Sequence, residues 1–427
     1  MKAVLMGLWL GLFAALAFPA PAALAEEDSL SPLEQILEQL ELYGFLETRV
    51  GARTQSDPEE KGLSVAETRL QLEAFTSTEN VDFKFRGDLR GDVVADCTAY
   101  ETREAWMFSR PYDFLDIKAG RQILTWGTGG LVFLNDLFPK DWQSFFIGRD
   151  AEYLKAPSTS IKVGVFSDFA NVDLVYTPKF ESDRYINGEY ISYWSAARQK
   201  LLGNDNVLRT DTPDRWFEDD EFAARVYRNI DDYELALYFY RGFWKSPNGT
   251  NAKGESTFPE MNAYGGSIRG AVGPGIGNLE FVYYDSPESH GGENPSVRNS
   301  EMRYLVGYTQ EAWKDFNVNV QYYVEQMCDY AEYRKGLSIG EPRDEFRHVL
   351  TVQLTQLLMS QNLTLALDTY YSPSDNDAYL RPNISYKVSD KTTVGLGANV
   401  FTGESKHTFF GQFEKNTNIY TSLRYSF

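Results

Sequence analysis

Histidine, cysteine and positive charge are all scarce in this 427-residue sequence, and each shortage removes a class of function. Three histidines, His290, His348 and His407, are scattered along the chain. No His/Cys spacing matches a zinc site, no Cys-x-x-Cys-His attaches a haem, and no glycine-rich loop is built to cradle phosphate. The reading is therefore of a chain that is not an enzyme and carries neither metal nor cofactor. Two cysteines, Cys97 and Cys328, fall in expected loops. Sequence does not fix the distance between their Cα atoms, so a bridge is left open. Lys and Arg total 41 against 61 Asp and Glu, a formal charge of -20. Such a balance repels phosphate backbones and excludes nucleic acid as a partner. Beyond the N-terminus no apolar run approaches the roughly 20 residues that a membrane helix needs.

Aromatic residues are abundant instead, with 27 Tyr and 28 Phe. They accompany a two-residue alternation. In 80–92, Val81, Phe83, Phe85 and Leu89 share one phase, while Asp82, Lys84, Arg86, Asp88, Arg90 and Asp92 share the other. A period of two is a strand with one apolar and one charged face. Unpaired charges cannot face a dry core, so that face meets water. The pattern returns at 317–325, 363–368, 394–400 and 418–427.

Short connections rich in Asn, Asp, Gly and Pro, such as 77–80, 229–232 and 389–391, alternate with long polar ones, such as 127–158, 180–219 and 327–344. Short turns on one side and long loops on the other are the layout of a transmembrane antiparallel β-barrel. The count is about 18 strands, with 16 as the alternative. The fold class is thus all-β, with 41–427 as the barrel. Residues 1–25 read as a secretory signal ending in Ala23-Leu24-Ala25, and 26–40 as a short periplasmic helix capped by Ser31. Export and a barrel together place the chain in a bacterial outer membrane, with membrane lipid as its surroundings.

The charged phase supplies expected pore-lining residues: Arg49, Arg69, Lys84, Arg86, Asp88, Arg90, Asp116, Lys118 and Arg303. Interleaved signs hold water and set up a transverse field. The leading function is a porin, a water-filled channel for small hydrophilic solutes. The alternative is a barrel working with a partner, either as a sleeve for an electron-conduit cytochrome or as an exporter of polysaccharide or lipid. An outer-membrane hydrolase is the enzyme-class rival. Whether the chain forms a homo-oligomer is left open.

One segment is distinctive. Gly120-Arg121-Gln122 is followed by Trp126-Gly127 and a loop containing Phe133, Phe138, Trp142, Phe145 and Phe146. Here the chain resembles Gram-negative outer-membrane porins with a Gly-Arg-Gln strand followed by Trp-Gly, including alginate-export-like barrels. The resemblance spans about residues 40–165. Loop 127–158 follows the fifth strand and is the third external loop, which folds into the pore of the general porins that this barrel resembles. Its aromatic rings need apolar burial. Asp136, Lys140, Asp141, Trp142 and Arg149 are the expected constriction residues. Arg121 falls on the apolar phase, so either a bulge at Gly120 turns it inward or it lies near the interface. The resemblance also implies that the terminal aromatic, Phe427, is an assembly signal read by the barrel-insertion machinery.

Overall fold

The computed structural model describes residues 39–337 and 340–427. The expected signal and almost all of the expected helix lie outside the described residues.

The barrel strands run in chain order. They begin with β1 (Glu41–Arg53), β2 (Leu63–Ser77), β3 (Val81–Asp92), β4 (Cys97–Tyr112), β5 (Leu115–Gln122) and β6 (Ser158–Val165). Next come β7 (Asn171–Thr177), β8 (Glu221–Ile230), β9 (Tyr233–Phe243), β10 (Glu260–Val272), β11 (Gly275–Asp285) and β12 (Glu301–Trp313). The last are β13 (Phe316–Met327), β14 (Phe346–Leu358), β15 (Leu363–Ser372), β16 (Asp377–Ser389), β17 (Thr392–Gly403) and β18 (Asn418–Ser426). They form one 18-stranded sheet of sequential antiparallel neighbours. It closes when β1 pairs with β18, from Phe45 opposite Ser426 to Arg53 opposite Asn418. Closure leaves no open sheet edge, which is what a strand wall in lipid requires. Eighteen strands therefore replace the alternative of sixteen.

The outer face follows from the period of two. Leu237, Leu279, Val306 and Leu396 are exposed there. Tyr264, Phe281, Tyr304 and Tyr322 form an exposed aromatic row towards the long-loop rim, and Tyr112, Tyr233, Trp313 and Tyr425 another at the short-turn rim. An apolar belt between two aromatic rows is stable in a bilayer and costly in water. Trp313 and Phe316 stack at 3.9 Å on either side of a turn. His348 shares the outward phase, as its position opposite Val324 requires, and its ring stacks on Tyr322.

Inside, the barrel is not hollow along its whole length. The apolar core lies within it, where wall residues Tyr238, Val282, Tyr284, Tyr370, Tyr379 and Phe401 pack against Leu131, Leu134, Phe138, Phe145 and Phe146 of one loop. That loop, residues 123–157 between β5 and β6, is here named L3.

Candidate functional site

Gly120 opens the site. Its φ is +124°, and a side chain would collide with the backbone carbonyl of Ala105 on β4. Only glycine lets the strands approach so closely. Next to it, the fully buried Gln122 donates to the Ser160 carbonyl at 3.0 Å. Arg121 stays on the outer phase, because β5 keeps its register with β6 through this stretch. Of the two alternatives, the bulge at Gly120 does not occur. The register shift falls between β3 and β4 instead, between Arg86 and Gly87, where Arg103 is the extra residue. Near the rim, Arg121 bonds the Thr102 carbonyl at 2.8 Å and Glu181 at 2.8 Å, so its charge is paired.

L3 then runs around the inner wall. Thr128 and Gly129 donate their amides to Glu280 of β11, and Asn135 donates its side-chain nitrogen at 2.8 Å. Leu131 donates to Gln321 of β13 at 3.2 Å and accepts from Tyr370 of β15 at 3.0 Å. The short helix α1 (Trp142–Ile147) comes next, its first turn capped by Asp141, which accepts from the Ser144 amide at 2.7 Å. Gly148 ends α1 at φ 90°, pressed against the Tyr420 ring of β18. The guanidinium of Arg49 bonds the Gly148 carbonyl and pairs with Asp150 at 2.6 Å. Arg149 pairs with Glu67 at 2.6 Å and with Asp92 at 3.4 Å. Tyr153 lies under two guanidinium groups, Arg69 at 3.9 Å and Arg103 at 4.6 Å from its ring centre. The loop is thus fastened to strands on opposite sides of the barrel, in the half nearer the long loops.

This placement divides the expected residues. Arg49, Arg69 and Asp88 point inward but are buried beneath L3. Their work is to hold the loop, since a buried charge needs a fixed partner. The same applies to Asp141 and Arg149, 1% and 4% exposed, which do not border open space as expected of constriction residues. Asp141 is consumed by the cap and by Arg184 at 3.0 Å. Asp136 and Lys140 pair at 3.0 Å, and with Trp142 they border the cavity above L3. Arg303 borders it too. Arg90 is partly buried between Glu67 and Asp92. Lys84 and Arg86 face the other half of the lumen, beside Glu73 at 2.9 and 2.5 Å. Lys118 lies there over the Trp106 ring at 4.0 Å, and Asp116 accepts from Arg110 at 2.6 Å.

Above L3 is a cavity of about 1110 Å³. L3 forms its floor. Its sides come from the loops 178–220 (L4), 244–259 (L5), 286–300 (L6), the described parts of 328–345, namely 328–337 and 340–345 (L7), 373–376 (L8) and 404–417 (L9). Among the described residues, every lysine and arginine bordering it is paired. Lys245 meets Glu221 at 2.5 Å, Arg298 meets Glu301 at 2.5 Å, and Arg303 meets Glu301 at 2.7 Å. Arg343 meets Glu325 at 2.5 Å and Arg347 meets Asp375 at 2.6 Å. L4 is tied to the floor through Asp183, which accepts the Lys140 amide at 2.7 Å and the Trp142 indole at 3.2 Å. Burial pushes the Asp183 carboxyl above its usual range, and the Lys140 amide partly offsets this.

Sequence reasoning missed Glu280, Tyr370 and Tyr379. Their phase marks them as inward, but nothing in the sequence tells which inward residues L3 meets. Cys97 and Cys328 are both free. Among the described residues no group of His, Cys, Asp or Glu is arranged to hold a metal.

No family model matches the sequence, and no curated protein does. Solved structures do. OccD3 (OpdP) of Pseudomonas aeruginosa is 10% identical, with 91% of each chain covered and a TM-score of 0.53. OccK3 (OpdO) of the same organism is 10% identical over 92% of this chain and 97% of that one, with a TM-score of 0.54. OccAB3 of Acinetobacter baumannii is 9% identical over 91% and 99%, with a TM-score of 0.52. At such identities the likeness shows the fold: this chain is an antiparallel β-barrel built like those three proteins.

Proposed function

We propose that the protein is an outer-membrane porin, a water-filled channel for passive diffusion of small hydrophilic solutes, with L3 as its constriction. The carrying observation is one loop fastened across the barrel interior, with a charged wall in one half and a cavity in the other. The wall around Lys84, Arg86, Glu73 and Lys118 is only partly buried, and it pairs charges of both signs. Such a surface favours water and polar solutes over lipid. With L3 packed across the interior, solutes pass according to size and polarity. The sleeve and exporter alternatives need an uninterrupted bore for a threaded partner, and L3 packs across the interior between opposite walls.

Liposome swelling with purified protein tests this reading. Swelling in small sugars that falls off as sugar size increases supports it. Liposomes that stay impermeable even to the smallest sugar would overturn it.

A further inference from the structure

The cavity above L3 has a chemistry of its own. Its size is just above the range of pockets that bury most of a drug-sized molecule, roughly 300–1,000 Å³. Half-exposed rings reach it from three loops: Phe133 and Trp142 from L3, Tyr193 and Trp194 from L4, and the exposed Phe409 from L9. L4 and L9 are joined at this edge, where the Trp194 amide donates to Gln412 at 2.9 Å. Phe409 is held edge-on against Phe410, with ring centres 4.8 Å apart, and the Arg347 guanidinium lies 5.2 Å from its centre.

The paired cations point away from an anionic ligand. Every lysine and arginine bordering the cavity already has a carboxylate partner among the described residues, so none of them waits for an anion. The carboxylates Glu341, Asp344 and Glu404 border the cavity as well and act as acceptors for hydroxyl donors. Flat rings with C–H-binding faces, surrounded by fixed acceptors and donors, suit a ligand with an apolar ring face and a hydroxylated edge. We propose that this cavity is a binding site for a short neutral oligosaccharide, which stacks on the Trp194–Phe409 edge before crossing L3. The crossing step rests on the channel reading, whereas the binding itself is independent of it.

The test is calorimetry on the detergent-solubilised barrel with three probes of similar size: maltotriose, a galacturonic acid trimer and a chitosan trimer. Maltotriose should bind at least ten-fold more tightly than either charged trimer. Trp194→Ala with Phe409→Ala should weaken maltotriose about ten-fold, equivalent to about 1.4 kcal/mol. Trp194→Phe, which keeps a ring, should retain most of the affinity, and heat-modifiable migration on gels checks that each variant is folded. A charged trimer binding as tightly as maltotriose, or a folded double variant that keeps its affinity, would overturn the proposal. Potassium chloride conductance separates the two readings. Saccharide binding without conductance removes the diffusion reading alone, and conductance without saccharide binding removes this one alone.

Discussion

Glu280 on β11 and Thr128 at the start of L3 meet across the barrel interior, with the threonine hydroxyl 2.7 Å from the carboxylate. The same carboxylate accepts the amides of Thr128 and Gly129 and the side chain of Asn135. One buried group thereby gathers donors that would otherwise be left without partners inside the wall. Glu280→Ala removes them all at once. Hydrogen bonds to a charged group contribute about 1.5–3 kcal/mol each, so the first third of L3 should come loose. Hydrogen exchange should rise by at least ten-fold over 124–136 while the strands stay protected. Unchanged exchange there would mean that the rest of L3 holds this segment without Glu280.

Arg149 and Glu67 form the matching fastening at the far end of L3. Both are buried, and the closest contact is 2.6 Å. Breaking a buried pair from one side strands the other charge, at about 3–5 kcal/mol. Arg149→Ala should therefore lower the urea midpoint clearly. Replacing both residues with Met should lower it less than that single change. A double variant as weak as the sum of the two single ones would show that the charges do not act as a pair.

Glu60 in the loop between β1 and β2 should be a pH-sensitive contact. Its buried side chain lies against Gly203 of L4, 3.9 Å from Arg53. Burial pushes its carboxyl up to about 8 from the ordinary 4.5, with Arg53 opposing. A raised value in the docked loop means that docking favours the protonated acid. Docking is then strongest at or below about pH 4.5 and weakens as the pH rises towards 8. Exchange of residues 54–62, normalised for the intrinsic rate, should increase over that window, and Glu60→Gln should flatten the dependence. A wild-type loop whose exchange is independent of pH would refute the assignment.

Phe427 ends the chain on the closing seam. Its amide donates to the Gly44 carbonyl at 2.9 Å, and the Gly44 amide donates back at 3.1 Å. Its ring is half-exposed and lies over Gly44, where a Cβ would come within 2.8 Å of it. If the insertion machinery reads this residue, deletion should leave the protein in the periplasm or degraded. Wild-type amounts of heat-modifiable barrel in the outer membrane would count against that role.

The wall is legible in the sequence because it is a local pattern. Alternation in 80–92 places Phe83 and Phe85 outward and Lys84 and Arg86 inward, and the turn residues mark where strands reverse. Long-range pairing is not legible. Arg49, Arg69 and Asp88 have the same phase as Lys84 and Arg86, yet L3 covers the first three and leaves the others partly open. No pattern within β1, β2 or β3 encodes a loop arriving from beyond β5. Which alternative holds at Gly120 is not legible for a similar reason. Gly120 carries the unusual backbone, but it serves a close strand approach, while the extra residue, Arg103, sits on the neighbouring strand between the partners of Arg86 and Gly87.

If L3 sets the bore, as proposed, single-channel recording in planar bilayers will register its removal. Residues 131–146 are replaced by a Gly-Ser linker, leaving the Thr128–Glu280 and Arg149–Glu67 fastenings in place. An 18-stranded wall without its inner loop is wide enough for an aqueous channel. Conductance should rise several-fold above wild type, and larger sugars should enter in the swelling assay. A folded variant with wild-type conductance and size cut-off would contradict it, and would assign the constriction to another part of the chain.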